Sequence, residues 1–245
     1  MKTLTFVAIT LISGAIAGTI LAIINQGIVE PYIDRAINIE AEDAVTEGKV
    51  IDPSELAEYR IWQKGGEIAA GSILGTSLSS LFGIVFIYSR TSLPGSSNKK
   101  KALALAGIMY IVLFIIPALK YPANPPAVGD PETIYYRQTL YVTFTAISGF
   151  SALAVAYIYR TLKNKVPTIT KNIIFPLIYG AIIAGAYLAL PSNPDKITSV
   201  PMDLVQGFRI SSAFTMSIFW GMIGITFGSM WDRFKPHETA KLTTI

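Results

Sequence analysis

Most of the chemistry available to this 245-residue chain comes from side chains that carry oxygen. Ten of its 16 acids lie between Glu30 and Glu67, where there are only four bases. Carboxylates bind hard and borderline divalent cations, and a negative surface raises the local cation concentration. The competing interpretation is a solvated amphipathic helix from Pro31 to about Glu47 whose apolar residues pack against the protein or lipid headgroups: Tyr32, Ile33, Ala36 and Ile37. The spacing fits no closed coordination loop, so both interpretations stay open.

A second group of donors lies in the proline-rich segment from Lys120 to Arg137. Its prolines, including Pro122 and Pro125, stiffen the backbone, so we expect it to be ordered and to present a ligand surface at little entropic cost. The hypothesis is an entry site for a hydrated divalent cation, with five oxygen donors: Asn124, Asp130, Glu132, Glu30 and Asp34. The structural alternative makes Asp130 a helix cap and the segment a lid in which Lys120 and Arg137 neutralise the carboxylates.

Several other chemistries are excluded by residue type. The chain has no cysteine, which rules out a disulfide, a thiolate metal site and a cysteine nucleophile, and its single histidine, His237, rules out a histidine cluster. No phosphate-binding GxxxxGK[ST] loop, HExxH motif or Gly-x-Ser-x-Gly elbow occurs. The sequence therefore predicts neither an enzyme nor a resident cofactor.

The elements that position these donors are predicted to be membrane helices. The composition is 51% hydrophobic and 15% charged, with a mean hydropathy of +0.49. A hydrocarbon core of about 30 Å needs roughly 20 helical residues. Six uncharged runs come near that length: Leu4–Ile24, Ile68–Tyr88, Ala102–Leu119, Leu140–Tyr159, Asn172–Leu190 and Ile210–Met230.

The first run also resembles a secretory signal, because Lys2 precedes it and Ala15-Ile16-Ala17 lies within it. We expect a retained helix, since the apolar character continues past that tripeptide to Ile24.

The distribution of charge predicts that both termini are cytoplasmic. With that orientation the inner side carries +10 and the outer side −6, as the positive-inside rule requires. The acidic segment from residue 30 to 67 is then an outer loop. Topology also explains the basic pI better than nucleic-acid binding does. Two acids, Asp232 and Glu238, accompany 12 inner bases: Lys2, Arg90, Lys99, Lys100, Lys101, Arg160, Lys163, Lys165, Lys171, Arg233, Lys235 and Lys241.

The second, fourth and sixth predicted helices begin on the outer side with a similar local pattern, each with a proline, an acid and an arginine. These are Asp52-Pro53 with Glu55 and Arg60, Asp130-Pro131 with Glu132 and Arg137, and Pro201 with Asp203 and Arg209. The pattern favours three pseudo-repeated helical hairpins, although helix capping alone would produce much of it.

Small residues at four-residue spacing predict close helix packing within the chain, with homo-oligomer contacts or a glycine-lined pathway as the alternatives. The pairs are Gly14/Gly18, Gly71/Gly75, Ala181/Gly185 and Gly224/Gly228.

The string PALKYPANPPAVGDPETI, from Pro117 to Ile134, with Arg137 and Leu140-Tyr141 after it, resembles the CbtA family of predicted cobalt transporter subunits. The resemblance implies a multi-spanning membrane protein that works with CbtB, a small partner with one span and histidines. It assigns no ligand role to the matched residues: Lys120, Tyr121, Pro122, Asn124, Pro125, Pro126, Gly129, Asp130, Pro131, Glu132 and Arg137.

The sequence thus predicts an all-α integral membrane protein, a six-helix bundle that serves a divalent-cation uptake system with Co²⁺ as the transported ion. The alternative is a non-transporting accessory subunit packed around a larger membrane complex. Helix faces rich in glycine and the absence of ATP-binding motifs fit both functions.

Overall fold

The computed structural model describes residues 2–48, 52–162, 167–194 and 200–237, and all the regular structure in these ranges is helical. The helices are α1 (Thr3–Ile28), α2 (Glu30–Thr46), α3 (Pro53–Ser89), α4 (Asn98–Tyr110), a π-helical turn (Ile111–Ile115), α5 (Ile116–Lys120), a 3₁₀ turn (Pro131–Thr133), α6 (Ile134–Thr161), α7 (Thr168–Ala189) and α8 (Met202–Phe234). Four of the charged residues assigned to the inner side lie outside the described ranges: Lys163, Lys165, Glu238 and Lys241.

Within the described ranges, six helical segments are long and apolar enough to cross a membrane, which confirms the number of predicted spans. They are Thr3–Ile28, Pro53–Ser89, Asn98–Lys120, Pro131–Thr161, Ile169–Ala189 and Met202–Phe234. Each contains the corresponding predicted run, except that Leu190 lies one residue beyond the fifth. The third segment is continuous through α4, the π turn and α5.

The acidic segment is mostly helical, which corrects its description as a loop. The amphipathic helix predicted from Pro31 is present as α2, and Ala36 is fully buried on it. The Asp52 side chain accepts a hydrogen bond from the Ser54 amide at 2.8 Å and so caps α3, with Pro53 at its first position. The helix then continues through Gly65 and Gly66 into the apolar run. At 37 residues α3 is about 55 Å long, so its first 15 residues exceed what a membrane span requires.

The chain divides into two compact units. Unit 1 comprises residues 1–109 and 210–245. In it α1 packs against α3 through glycines, and a Cβ atom at Gly75 would lie only 2.9 Å from the Gly18 Cα atom. Gly228 approaches α4 in the same way, since a Cβ there would lie 2.6 Å from the Lys99 Cα atom. Close helix packing is therefore confirmed for three of the four small-residue pairs. The core of unit 1 also contains four buried aromatic rings: Phe82, Phe86, Phe227 and Trp231.

Unit 2 comprises residues 110–209. The π turn of unit 2 precedes Pro117. In a π turn the N–H of each residue bonds to the carbonyl five residues earlier. Because Pro117 has no N–H, the Val112 carbonyl receives no helical hydrogen bond. The buried Ser148 hydroxyl of α6 donates to that carbonyl at 2.6 Å and lies 2.8 Å from the Tyr179 hydroxyl of α7. This side-chain bond satisfies the buried Val112 carbonyl, which explains how an irregular turn is tolerated in an apolar helix.

Helix α7 is the most exposed of the six apolar segments. Only 6% of the most apolar 18-residue stretch of α7 is buried, compared with 44% of the corresponding stretch of α1. A Cβ atom added at Gly185 would meet nothing within 4 Å in the described structure. The Ala181/Gly185 pair therefore differs from the other three pairs, because Gly185 makes no close helix contact.

Candidate functional site

The start of the acidic segment forms a charged network with the extension of α3 in unit 1. Glu30 and Asp34 lie one turn apart on α2, and Arg60 and Lys64 lie one turn apart on α3. Residues four apart on a helix share a face, so two carboxylates meet two cations. The network carries no net charge if all four groups are ionised.

Arg60 is the centre of this network. Its guanidinium pairs closely with Glu30 Oε2, lies 2.7 Å from Asp34 Oδ1, and donates to Gln63 Oε1 at 2.6 Å. Lys64 Nζ lies 3.0 Å from Asp34 Oδ2 and 3.8 Å from Glu30 Oε2. Each carboxylate therefore has both a guanidinium and an ammonium group as neighbours.

Burial makes the pair of Arg60 and Glu30 more than a surface contact. Glu30 is only 8% exposed, and an ionised carboxylate that is withdrawn from water needs a compensating charge. Asp34 is more exposed. Partial burial alone would raise the pKa of Asp34, but hydrogen bonds from Arg60 and Lys64 outweigh it and lower that pKa below its ordinary value of 3.8. The network thus holds Asp34 as a carboxylate.

A second polar pair lies next to the network, between α1 and α3. The Asn25 amide of α1 is hydrogen-bonded to the Glu67 carboxyl group of α3. Asn25 Oδ1 and Glu67 Oε2 are both inaccessible to solvent and have no hydrogen-bond donor. A buried acceptor without a donor is unfavourable, so a donor introduced at this pair should stabilise unit 1.

In unit 2 the proline-rich segment is held by side chains that bind backbone groups. Asp130 Oδ1 accepts from the Glu132 amide at 2.9 Å and caps the 3₁₀ turn that leads into α6, as the structural alternative predicted. Arg137 donates to the backbone carbonyls of Val128 and Asp130, at 3.5 and 3.3 Å. Glu132 is exposed in the first turn. The segment is therefore an ordered entry to α6.

The earlier part of the segment is bound to residues that come later in the chain, also in unit 2. Lys120 Nζ donates to the Tyr187 carbonyl at 2.5 Å and lies over the Tyr187 ring. The Tyr121 hydroxyl donates to the Pro191 carbonyl at 2.6 Å. Arg209 Nη2 donates to Asn124 Oδ1 at 2.6 Å. Pro125 is buried and Pro122 half-buried, consistent with a packed segment.

The five donors predicted for one entry site are divided between the two units. Glu30 and Asp34 lie together in unit 1, while Asn124, Asp130 and Glu132 lie in unit 2. Across residues 2–48, 52–162, 167–194 and 200–237, no group of three or more acid or histidine side chains is placed to hold a metal ion. The five-residue entry site stays a prediction.

Sequence reasoning missed the partners that surround Glu30 and Asp34. The sequence gives Arg60 only a place in a repeated pattern and Glu67 only a place among the ten acids, and it gives Lys64 and Asn25 no role. A signal was present, because Arg60, Lys64 and Glu67 recur at helical spacing after the Asp52-Pro53 start. What local spacing could not supply was the pairing of these positions with Glu30 and Asp34 of α2 and Asn25 of α1.

A family model described as "Probable cobalt transporter subunit (CbtA)" matches residues 3–232, which include nearly all of the six apolar segments. Neither a curated protein nor a solved structure matches the chain significantly.

Proposed function

Because the chain belongs to the CbtA family of probable cobalt transporter subunits, we propose that it is the membrane subunit through which a divalent cation, first of all Co²⁺, is taken up. The family match carries this proposal, since it spans residues 3–232 and not one helix or motif. Six apolar helical segments make the chain a multi-pass membrane protein, as uptake across a bilayer requires.

The network of unit 1 is the proposed first contact for the ion. Glu30 and Asp34 supply carboxylate oxygens, which suit borderline divalent cations. In the structure, Arg60 and Lys64 compensate the negative charge of these two carboxylates. The charge of Co²⁺, +2, equals the combined charge of Arg60 and Lys64. The ion can therefore take their place beside the carboxylates without a change in net charge, once the two side chains have moved out of contact.

Asn124, Asp130 and Glu132 form the second part of the proposed entry site. Glu132 is exposed, and Asp130 has one carboxylate oxygen occupied by capping. The Asn124 carbonyl oxygen is bound by Arg209, so Asn124 can join a cation site only when Arg209 releases it. Water would complete the coordination shell.

The proposed orientation places both termini in the cytoplasm and the acidic segment outside. The excess of Lys and Arg near the cytoplasmic helix ends supports it. An outward acidic segment would raise the local concentration of cations at the entry.

The proposed partner is a small membrane protein with histidines, of the CbtB type. Imidazole nitrogen binds cobalt well, and this chain has only His237. A partner would therefore supply the nitrogen ligands that the chain lacks.

Uptake of labelled cobalt in cells that carry the chain and its partner tests the entry site. Glu30→Gln, Asp34→Asn and Glu132→Gln should each reduce uptake severalfold at equal abundance in the membrane. The matched control is Glu58→Gln, which removes an exposed carboxylate from the same acidic segment. Normal uptake by all three variants at normal abundance would exclude these residues from the pathway.

A non-transporting accessory role is favoured by one observation, the exposure of α7. Only 6% of the most apolar 18-residue stretch of α7 is buried. Gly185 on this helix leaves room for the close approach of another helix. Gly185→Leu would then disrupt co-purification with a partner subunit or a second copy, without changing the abundance of the chain. If the variant still co-purifies normally, the surface is covered by lipid alone.

A further inference from the structure

An exposed aromatic pair lies on α3 in unit 1, on the part of the helix that precedes the apolar run. The rings of Tyr59 and Trp62 are stacked, with their centroids 6.3 Å apart and their planes at 21°. Trp62 is 72% exposed, and Ile61 and Tyr59 beside it are also exposed. Large apolar side chains grouped on a surface indicate contact with another protein or with a membrane. The proposed cation entry uses none of these residues.

Trp62 lies on the face of α3 that is exposed along the apolar run. At about 100° per residue, Ile73 is about 20° from Trp62 around the helix axis, and Ile84 is about 40° from it. Ile73 and Ile84 are both exposed, as side chains that face acyl chains must be. The face that carries Trp62 therefore continues into the lipid-facing side of the span.

The charges of this part of α3 lie on the other side of the helix. Arg60 and Lys64 are each two residues from Trp62, which places them about 160° away around the helix axis. Both pair with α2 in the charged network. Glu67, about 140° from Trp62, is hydrogen-bonded to Asn25 of α1. On the exposed face, no charged residue therefore lies between Trp62 and the apolar run.

The position of Trp62 along α3 matches the headgroup layer of a bilayer. The helix ends at Ser89 and Arg90 follows, so this end lies at one membrane surface. Trp62 lies 27 residues before Ser89, which corresponds to about 40 Å along the helix axis. A bilayer is about 40–45 Å thick with its headgroup layers and about 30 Å without them. Trp62 therefore reaches the headgroup layer of the opposite surface, which indole and phenol side chains favour.

We propose that Tyr59 and Trp62 anchor α3 in this headgroup layer, where the lipid surface covers both rings. A lipid surface accounts for the continuity with the apolar run and for the distance from Ser89, neither of which a protein partner requires. Arg60 and Lys64 lie within about 3 Å of Trp62 along the helix axis, so the charged network lies at the same level of the membrane. This placement does not depend on whether the network binds a cation.

The test measures how deep the Trp62 indole lies when the purified full chain is placed in vesicles of dioleoyl phosphatidylcholine. The chain has three tryptophans, and the other two, Trp220 and Trp231, are buried. Subtracting the fluorescence of Trp62→Phe from that of the wild type isolates the emission of Trp62. Three quenchers are compared: iodide in the water on both sides, lipid brominated near the glycerol end of its acyl chains, and lipid brominated near the methyl end.

Lipid brominated near the glycerol end should quench Trp62 more strongly than either other quencher, by about twofold, because this bromine lies nearest to the headgroup layer. Iodide quenching that equals or exceeds it would overturn the proposal, since the rings would then project into water. Equal or stronger quenching by the methyl-end lipid would overturn it by placing the rings within the hydrocarbon. No quenching by any of the three would overturn it by showing that protein covers them. If Trp62→Phe does not fold, Trp62→Tyr removes the same indole and keeps an interfacial side chain.

Discussion

At the scale of single residues, the pair of Asn25 and Glu67 gives a prediction about stability. Asn25 Oδ1 and Glu67 Oε2 are buried acceptors without a donor. Glu67→Gln replaces one of them with an NH₂ group that can donate to the other. We expect the free energy of unfolding to rise by about 1 kcal/mol, seen as a higher melting temperature in detergent.

The control for this prediction is Glu58→Gln, at an exposed position of the same helix, which should change stability by no more than about 0.5 kcal/mol. A fall in the melting temperature of Glu67→Gln, with Glu58→Gln unchanged, would show that the ionised carboxylate itself stabilises the interface.

A second residue-scale prediction concerns pH and Asp34. Hydrogen bonds from Arg60 and Lys64 lower the pKa of Asp34 from 3.8 in spite of partial burial. A lowered pKa in the folded state stabilises the protein fully above the unfolded pKa, and this contribution is lost as the pH falls through the folded pKa. Asp34→Asn should therefore melt at a lower temperature than the wild type at neutral pH, and the difference should shrink below about pH 3.9. A difference that is the same at neutral pH and well below pH 3 would contradict this account.

At the scale of elements, the contact between α1 and α3 depends on glycine. A Cβ atom at Gly75 would lie 2.9 Å from the Gly18 Cα and N atoms of the facing helix, with no flexible side chain to yield. We expect Gly75→Ala to cost about 1–3 kcal/mol, measured as lost thermal stability and lower abundance. Gly107→Ala is the matched control, because a Cβ there meets nothing within 4 Å and helix propensity favours alanine. Equal effects of the two substitutions would show that the helices do not approach this closely.

The sequence predicted those elements whose signal is local. Uncharged runs near 20 residues marked the six apolar segments, and Asp52-Pro53 and Asp130-Pro131 marked two helix starts that the structure shows as capped. Asp130 as a cap followed from the same local chemistry. What these runs could not show was that α3 continues from Pro53 to Ser89 through two glycines, since helix packing overrides their weak propensity.

The candidate site was less predictable because its contacts are between distant positions. Arg60 meets Glu30 and Asp34 across a separation of 30 and 26 residues, and Arg209 meets Asn124 across 85. Nothing in local spacing selects these partners over the other charges of the segment. Which carboxylates are compensated, and by which cations, depends on how the helices pack.

At the scale of the whole molecule, the orientation predicts which positions can be labelled from outside. The chain has no cysteine, so single cysteines can be introduced at Lys100 and Ser192, which are both exposed. An impermeant thiol reagent applied to intact cells should label Ser192→Cys and not Lys100→Cys, and lysed cells should show labelling of both. Labelling of Lys100→Cys in intact cells would place the termini on the other side.

The most direct test of the central claim is accumulation of labelled cobalt in cells that lack other cobalt importers, with and without this chain and its partner subunit. Our account predicts cobalt accumulation well above the background only when the chain is present, reduced by excess unlabelled cobalt and diminished in Glu30→Gln at equal membrane abundance. Accumulation that stays at the background level, with the chain abundant and correctly oriented in the membrane beside its partner, would contradict a role in cobalt uptake.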